Sequence, residues 1–402
     1  MRTIFFYVKH ISMLKSWVNP IAFFLKKKGY NLVVLHVTNL NREIASVGTN
    51  ITKDYELIDI SYKSSKAILR IFQEHKPIGM IVLTFRSLFD LLINRIAQQC
   101  NVKTLYLEHG FFADITALRF GMANKKASIR RYLHFIGKYV YFIFFIARNI
   151  FFELHIIYRA MKRNDYSKTQ YDYALFYANY GFQKTNKLFK YDSKKVFFSG
   201  YPTTKNKSDI NCFKKNLCVS QPNIKKKILF IQQPLLLDKL SNISYAEEAQ
   251  YLRKIANISA EAGYEFVFQV HPRENSDRYA AVFKECDGIV VKSSSVEKSV
   301  AESEIVLGHF STALFFGVVL SKPIILLYYP GLDGQYLDYF KMVGVKASNI
   351  KELSQILSNP SIYFNKSQEY EEFIKEYIGQ NNSFENQAQI IDEIVCCSTI
   401  RK

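Results

Sequence analysis

The sequence predicts an α/β protein built as two domains, each a parallel sheet wrapped by helices, and three observations predict it. The chain has 402 residues, well beyond the roughly 100–200 that a single compact domain ordinarily holds. Short β-rich apolar runs alternate along it with stretches of helical periodicity. That alternation runs twice, in two series separated by a polar, lysine-rich stretch at Thr203–Lys227.

In the first series the strand-like runs are Ile4–Val8, Leu32–Val37, Leu57–Ser61, Gly79–Phe85 and Thr104–Leu107, with helix-like Ile68–His75 and Leu88–Cys100 between them. It resumes at Ala174–Tyr177 and Val196–Phe198, the latter running into Gly200-Tyr201-Pro202. Strands separated by helices can pair in parallel, because each helix supplies the crossover that a parallel neighbour requires. The second series has runs at Ile228–Gln232, Phe266–Val270, Gly288–Val291, Ile305–Leu307 and Ile324–Tyr328, then helical segments at Lys351–Leu357, Gln368–Ile378 and Glu385–Val395. The expected domains are therefore Rossmann-like, at residues 1–205 and 206–402, with the C-terminal helices assigned to the second.

Residues 124–163 break the rhythm: nine basic residues and one acidic residue, Glu153, punctuate a long aromatic and aliphatic stretch. Its uncharged core, Tyr139–Ala147, falls far short of the ~18–20 apolar residues that span a bilayer. Two readings follow: a helical insertion lying in the headgroup plane with Lys and Arg on anionic lipid, or a helix packing its rings on the core. No other segment is long and apolar enough to span, and Met1–Val8 lacks the cleavage site of a leader and reads as a first buried strand.

Composition narrows the partners. A chain that is 49% hydrophobic and 22% charged has enough apolar surface to fold, which excludes disorder. The net charge of +19 favours phosphorylated substrates, an anionic bilayer or nucleic acid. The sequence contains no nucleic-acid-binding motif, and its basic residues are spread along the chain, so nucleic acid is not expected. The six cysteines have neither the spacing of a zinc site nor that of a disulfide framework, which fits a reducing cytoplasm. The expected location is the cytoplasm, peripheral on the inner membrane.

Ligands of open α/β sheets bind beyond the carboxyl ends of the strands, so the candidate residues are those that follow each apolar run. Leu107-Glu108-His109-Gly110 delivers a carboxylate and an imidazole to a strand end. Glu108 either takes a proton from an attacking hydroxyl, if its surroundings raise its pKa, or caps the next helix or pairs with a lysine. In Val270-His271-Pro272-Arg273, the proline forces extended backbone at His271, which either projects towards a phosphate or is a turn histidine. Gly308-His309-Phe310-Ser311-Thr312 enters an apolar helix, where the hydroxyls suit either a phosphate or an ordinary cap. Ser293-Ser294-Ser295-Val296-Glu297 offers hydroxyls to a nucleobase and a carboxylate to a ribose, or else simply caps a helix. Gln232, at the end of the first strand of the second series, joins Ser294, Ser295 and Glu297 as a candidate nucleotide contact.

Together these pieces resemble the bacterial GT-B sialyltransferases and polysialyltransferase-like capsule or lipopolysaccharide glycosyltransferases. That group carries an acidic-acidic-glycine motif in its first domain, a His-Pro motif at a strand end in its second, and a Ser-Ser or Ser-Thr pair at a later helix start. The counterparts here are Glu108-His109-Gly110, His271-Pro272 and Ser311-Thr312. His109 departs from the acidic residue at the middle position.

The resemblance implies a GT-B fold, two Rossmann-like domains facing across a cleft, and an inverting, metal-independent transfer of sialic acid or a related nonulosonic acid from a CMP-activated donor. The acceptor is a hydroxyl of a lipopolysaccharide or capsule glycan. Glu108 is implied as general base, His271 and the Ser311-Thr312 pair as donor-phosphate ligands, and His109 and Gly110 as acceptor contacts. No cofactor is expected, and no Asp-x-Asp pair is present to hold a metal. Similar features occur in Kdo transferases and in glycerol- or ribitol-phosphate transferases, which stand as the alternative, and a non-catalytic membrane-associated or nucleic-acid-binding protein is the alternative of another class.

Overall fold

The computed structural model describes residues 2–9, 13–37, 54–61, 63–85, 88–109, 167, 170–202, 225–237, 241–272, 274–284, 286, 288–291, 295–330, 340–364, 367–379 and 383–396. The basic aromatic stretch 124–163 and most of the polar stretch, 203–224, lie outside the described residues. The chain forms two compact units.

The first unit is built on a parallel sheet of strands β1 (Arg2–Val8), β2 (Tyr30–His36), β3 (Glu56–Asp59), β4 (Gly79–Val82), β5 (Lys103–Leu107), β6 (Tyr173–Phe176) and β7 (Val196–Phe198), ordered β3-β2-β1-β4-β5-β6-β7. All pairings between these strands are parallel. β1 reads as an uninterrupted apolar run because both of its faces are covered. Phe5 and Tyr7 enter one core layer with Phe72, Phe89 and Phe176, while Ile4, Phe6 and Val8 enter the opposite layer with Ile21, Leu25 and Ile391.

The helices of this unit include α1 (Asn19–Lys27), α2 (Ser65–His75), α3 (Leu88–Gln99) and α4 (Asn179–Phe189). Ser64 caps α2 by accepting from the Ala67 N–H at 3.2 Å. Lys76 then ends it in the left-handed region at φ +44°.

The chain passes from the first unit to the second at Thr204/Lys205, next to the expected 205/206, but the C-terminal helix, Phe384–Cys396, is not part of the second unit. Sequence adjacency assigned it to the second domain, yet residues 376–402 belong with the first unit. Ala388, Ile391, Ile394 and Val395 complete the layer under β1, β4 and β5. Lys103 Nζ donates to the Ile394 carbonyl at 2.9 Å, and Lys28 pairs with Asp392 at 2.8 Å. Gln387 Nε2 donates to Ser199 Oγ at 3.1 Å. The reason is burial: the helix's apolar face has a bare sheet face to cover in the first unit.

The second unit is a parallel sheet of β8 (Lys227–Ile231), β9 (Glu265–Gln269), β10 (Gly288–Val291), β11 (Ile305–Gly308), β12 (Ile324–Leu327) and β13 (Gly344–Ala347), ordered β10-β9-β8-β11-β12-β13. The edge strand β13 is short and carries an exposed lysine, Lys346, and escaped the sequence reading. Between strands lie α5 (Tyr245–Glu261), α6 (Ser276–Phe283), α7 (Val296–Ala301) and α8 (Leu314–Val319). α5 starts with a reciprocal capping box, Ser244 with Glu247. α8 approaches its sheet closely at Gly317, where an added Cβ would lie 3.2 Å from Ile324.

Each strand order reverses once, between β1 and β4 in the first unit and between β8 and β11 in the second. In open α/β sheets ligands bind at such switch points, beyond the carboxyl ends of the neighbouring strands. Among the described residues no helix is long and apolar enough to cross a membrane.

The returning chain is pinned at Gly379, whose φ is +81° and whose added Cβ would lie 2.2 Å from the Tyr177 carbonyl oxygen. Neither the conformation nor the space admits a side chain. Gly379→Ala is expected to destabilise the first unit by about 2 kcal/mol or more, read as a lowered urea midpoint; an unchanged midpoint would show that this backbone crossing is not fixed.

Candidate active site

Strand β5 hands its chain directly to the first candidate group. The Glu108 N–H continues the ladder by donating to the Leu175 carbonyl at 2.9 Å. The side chain then turns into the protein, only 3% exposed, and Oε2 accepts the Tyr177 N–H at 2.7 Å. Tyr177 follows β6 and stands two residues before α4, so the carboxyl group lies at the start of that helix. Gly181 in the first turn makes the room: a Cβ there would overlap the carboxyl, 2.1 Å from Oε1.

Two opposing effects set the proton affinity of Glu108. Burial disfavours the charged form and dominates, while the Tyr177 N–H favours it, and the balance raises the pKa from 4.5 to about 8. A buried carboxyl whose proton is in play near neutral pH has the property that general-base chemistry demands. Spacing alone left open whether Glu108 was a base or a cap. The structure shows a carboxyl that sits at a helix start and is buried there, which raises its pKa.

His109 is half-buried and meets the edge of Trp17, ring centroids 6.5 Å apart at 85°. Trp17 stacks on Tyr177 at 6.0 Å and 22°, and also contacts Tyr201 and Phe384. The chain's sole tryptophan thus lies next to the Glu108-His109 pair. Sequence reasoning missed Trp17, Tyr177 and Gly181, which come from segments far from residue 108. The available signal was a glycine in the first helical turn after a strand end. Gly110, the third motif residue, lies outside the described residues.

In the second unit the structure joins two of the expected residues. Gln232 follows β8 and His271 follows β9, and the His271 N–H donates to Gln232 Oε1 at 3.0 Å. Gln232 is buried, and its amide donates to the Tyr279 hydroxyl. Both ends of the carboxamide are engaged by protein, so Gln232 ties two strand ends together, where the sequence had suggested a nucleotide contact. Behind it lies a buried polar relay. Tyr279 Oη donates to Glu248 Oε2 at 3.3 Å, Tyr329 Oη donates to Glu248 Oε1 at 2.9 Å, and Arg278 pairs with Glu274 at 2.8 Å. Burial raises the Glu248 pKa, opposed by these donors.

Ser311 and Thr312 follow β11 at the switch point. Ser311 Oγ accepts the Ala313 N–H at 3.3 Å, a local turn bond, and the Thr312 side chain is exposed. The Leu314 and Phe315 N–H groups close the turn on the Ser311 and Thr312 carbonyls at 3.0 and 3.1 Å. Ser295 caps α7, accepting from the Lys298 N–H at 3.2 Å, and Glu297 lies in that helix's first turn. The capping alternative therefore accounts for Ser295. Ser294 and Arg273 lie outside the described residues.

No family model matches the sequence, and no curated protein matches it. Solved structures do. A glycosyltransferase from Rickettsia africae ESF-5 is similar at TM-score 0.52 and 11% identity, over 98% of this chain and 97% of that one. The wall teichoic acid polymerase TagF is similar at TM-score 0.54 and 13% identity, over 98% and 88%. The calicheamicin glycosyltransferase CalG4 is similar at TM-score 0.57 and 12% identity, over 99% of both chains. At these identities the likeness is one of fold, and it agrees with the two parallel Rossmann-like sheets: the chain has the GT-B fold.

Between about 4.5 and about 8 the folded protein keeps the Glu108 proton that the unfolded chain has released. The contribution of Glu108 to stability is thus full at low pH and lost as pH rises through that window. Chemical-denaturation midpoints of the wild type should fall between about pH 5 and about pH 8.5, and those of Glu108→Gln should fall less. Gly181→Ala, which must push the carboxyl aside, should flatten the same profile. Identical slopes in all three proteins would contradict the buried, protonated carboxyl.

Proposed function

We propose that the protein is a glycosyltransferase that moves sialic acid, or a related nonulosonic acid, from a CMP-activated donor to a hydroxyl of a surface glycan with inversion at the anomeric carbon. The single observation that carries this reading is Glu108: a carboxyl at a strand end of a GT-B fold, buried beside a helix start with the Tyr177 N–H as its donor, where burial raises its pKa. Its conjugate base takes the acceptor's hydroxyl proton, and the oxygen forms a bond to the anomeric carbon. The bond from that carbon to the phosphate oxygen breaks, and its electron pair leaves with CMP. His271 and the Ser311-Thr312 turn meet the charge that develops on the phosphate.

Support for the donor side lies in the second unit. Gln232 fixes the backbone of His271, and Ser311 and Thr312 stand at the switch point of the same sheet, where nucleotides bind in open α/β folds. The transfer needs no metal in this reading, since the leaving phosphate is met by protein donors. The glycan or glycolipid acceptor is tethered to the inner membrane, and the basic stretch 124–163 holds the enzyme at that surface. The likeness to TagF, whose name describes a wall teichoic acid polymerase, keeps a polyol-phosphate donor as the counterpart to test.

One observation favours a second assignment of the base. Glu108 is buried with its carboxyl turned towards α4, whereas His109 is half-buried beside Trp17. In this version His109 takes the hydroxyl proton, and Glu108 and Tyr177 hold the strand end that presents it.

Purified protein incubated with CMP-, CDP- and UDP-activated donors separates the donor classes: transfer from a CMP-sugar supports the reading, and transfer from CDP-glycerol or CDP-ribitol alone overturns it. With the active donor, Glu108→Gln should lower kcat by about 10²-fold or more while leaving CMP affinity unchanged, and wild-type kcat/KM should rise with pH towards about 8. Loss of turnover in His109→Gln with near-normal turnover in Glu108→Gln would move the base to His109.

A further inference from the structure

His309 directly follows β11, the strand next to the switch point of the second sheet. It is 1% exposed. Its Nδ1 lies 2.8 Å from the Leu327 carbonyl oxygen, which accepts only if Nδ1 carries the proton. The tautomer is thereby fixed, and Nε2 presents a lone pair. That atom is buried and, among the described residues, has no hydrogen-bond partner.

The surrounding rings do not relieve it. Phe230 meets the imidazole edge-on at 5.6 Å, Tyr329 edge-on at 5.0 Å, and Tyr251 lies nearly parallel at 6.5 Å. Both nearby hydroxyls donate elsewhere: Tyr251 to the Tyr328 carbonyl at 2.7 Å, and Tyr329 to Glu248 at 2.9 Å. Nor does the imidazole answer the deficit by charging, because burial lowers its pKa to about 4. A buried acceptor left unmet costs about 1–3 kcal/mol, and native proteins keep few of them.

We infer that His309 Nε2 is a specificity contact for the nucleotide, accepting a hydrogen bond from a neutral donor on it, either the exocyclic amine of the base or a ribose hydroxyl. The inference rests on the nucleotide-donor reading above and goes beyond it, because none of the donor-site residues assigned there reads the nucleoside. The position supports it: Gly308-His309 stands where the strand order reverses, two residues before the Ser311-Thr312 turn, so phosphate and nucleoside contacts come from one loop. A neutral acceptor also suits discrimination, since a site built to meet a donor penalises the analogue that lacks it.

The test uses the full chain and titration calorimetry with CMP, UMP and 2′-deoxy-CMP, alongside His309→Phe, which keeps the ring and removes both nitrogens. His309→Phe should weaken CMP binding by about tenfold or more. If the base amine is the donor, the wild type prefers CMP to UMP and the variant does not. If the ribose hydroxyl is the donor, CMP and UMP bind alike and the deoxy analogue binds weakly. Because His309→Phe also removes the bond to Leu327, nitrogen NMR of histidine-labelled wild-type protein provides a second readout: saturating CMP should move the Nε2 resonance and leave Nδ1 in place. Unchanged CMP affinity in a folded variant, or an Nε2 resonance that does not move, overturns the His309 contact and leaves the nucleotide-donor reading standing. Failure of the wild type to bind any of the three nucleotides overturns both.

Discussion

The arrangement around Glu108 depends on one hydrogen bond in a dry place, from the Tyr177 N–H to the Glu108 carboxyl at 2.7 Å. β5 carries the acid and the segment after β6 carries the amide, so the bond exists only because those two strands pair in register. Burial keeps the carboxyl protonated to high pH, while the amide gives its charged form a single partner. The result is an acid that can release and regain a proton near neutrality without losing its place. Gly181 is the necessary complement, since any larger residue at that position would take the carboxyl's volume.

The second unit uses the same device in another form. Gln232 bridges the ends of β8 and β9, and its far end leads through Tyr279 to the buried Glu248 and on to Tyr329. Glu248 comes from a helix and Tyr329 follows β12, so one carboxyl links several elements on which the strand ends rest. Such a network is costly when broken, because each member depends on the next for its hydrogen bond. It gives His271 a fixed backbone and His309 a fixed aromatic wall.

Much of the fold was legible because parallel strands buried on both faces are written as unbroken apolar runs, as in Ile4–Val8 and Ile324–Leu327. What escaped was local structure whose stability comes from elsewhere. β13 is short and carries Lys346 exposed, so it shows little apolar signal. The C-terminal helix has a clear amphipathic pattern, but nothing in the pattern names the sheet it covers. Its burial under β1, β4 and β5 is a tertiary choice, and assigning it to the second domain by sequence adjacency missed it.

The candidate site divides in the same way. Glu108 and His271 could be singled out as candidates because each follows an apolar run, and the structure places each just after a strand. Gln232 was read as a ligand contact, yet its carboxamide is engaged by His271 and Tyr279, a pairing that no linear pattern reveals. Ser295 caps α7, the reading its sequence favoured.

The claim at the centre is that Glu108 keeps its proton until pH rises towards about 8. Carboxyl-carbon NMR of glutamate-labelled protein, assigned by loss of the signal in Glu108→Gln, measures it directly. A resonance that titrates near 8 agrees with the account. One that titrates near the ordinary 4.5 would mean a solvated carboxylate and would contradict it.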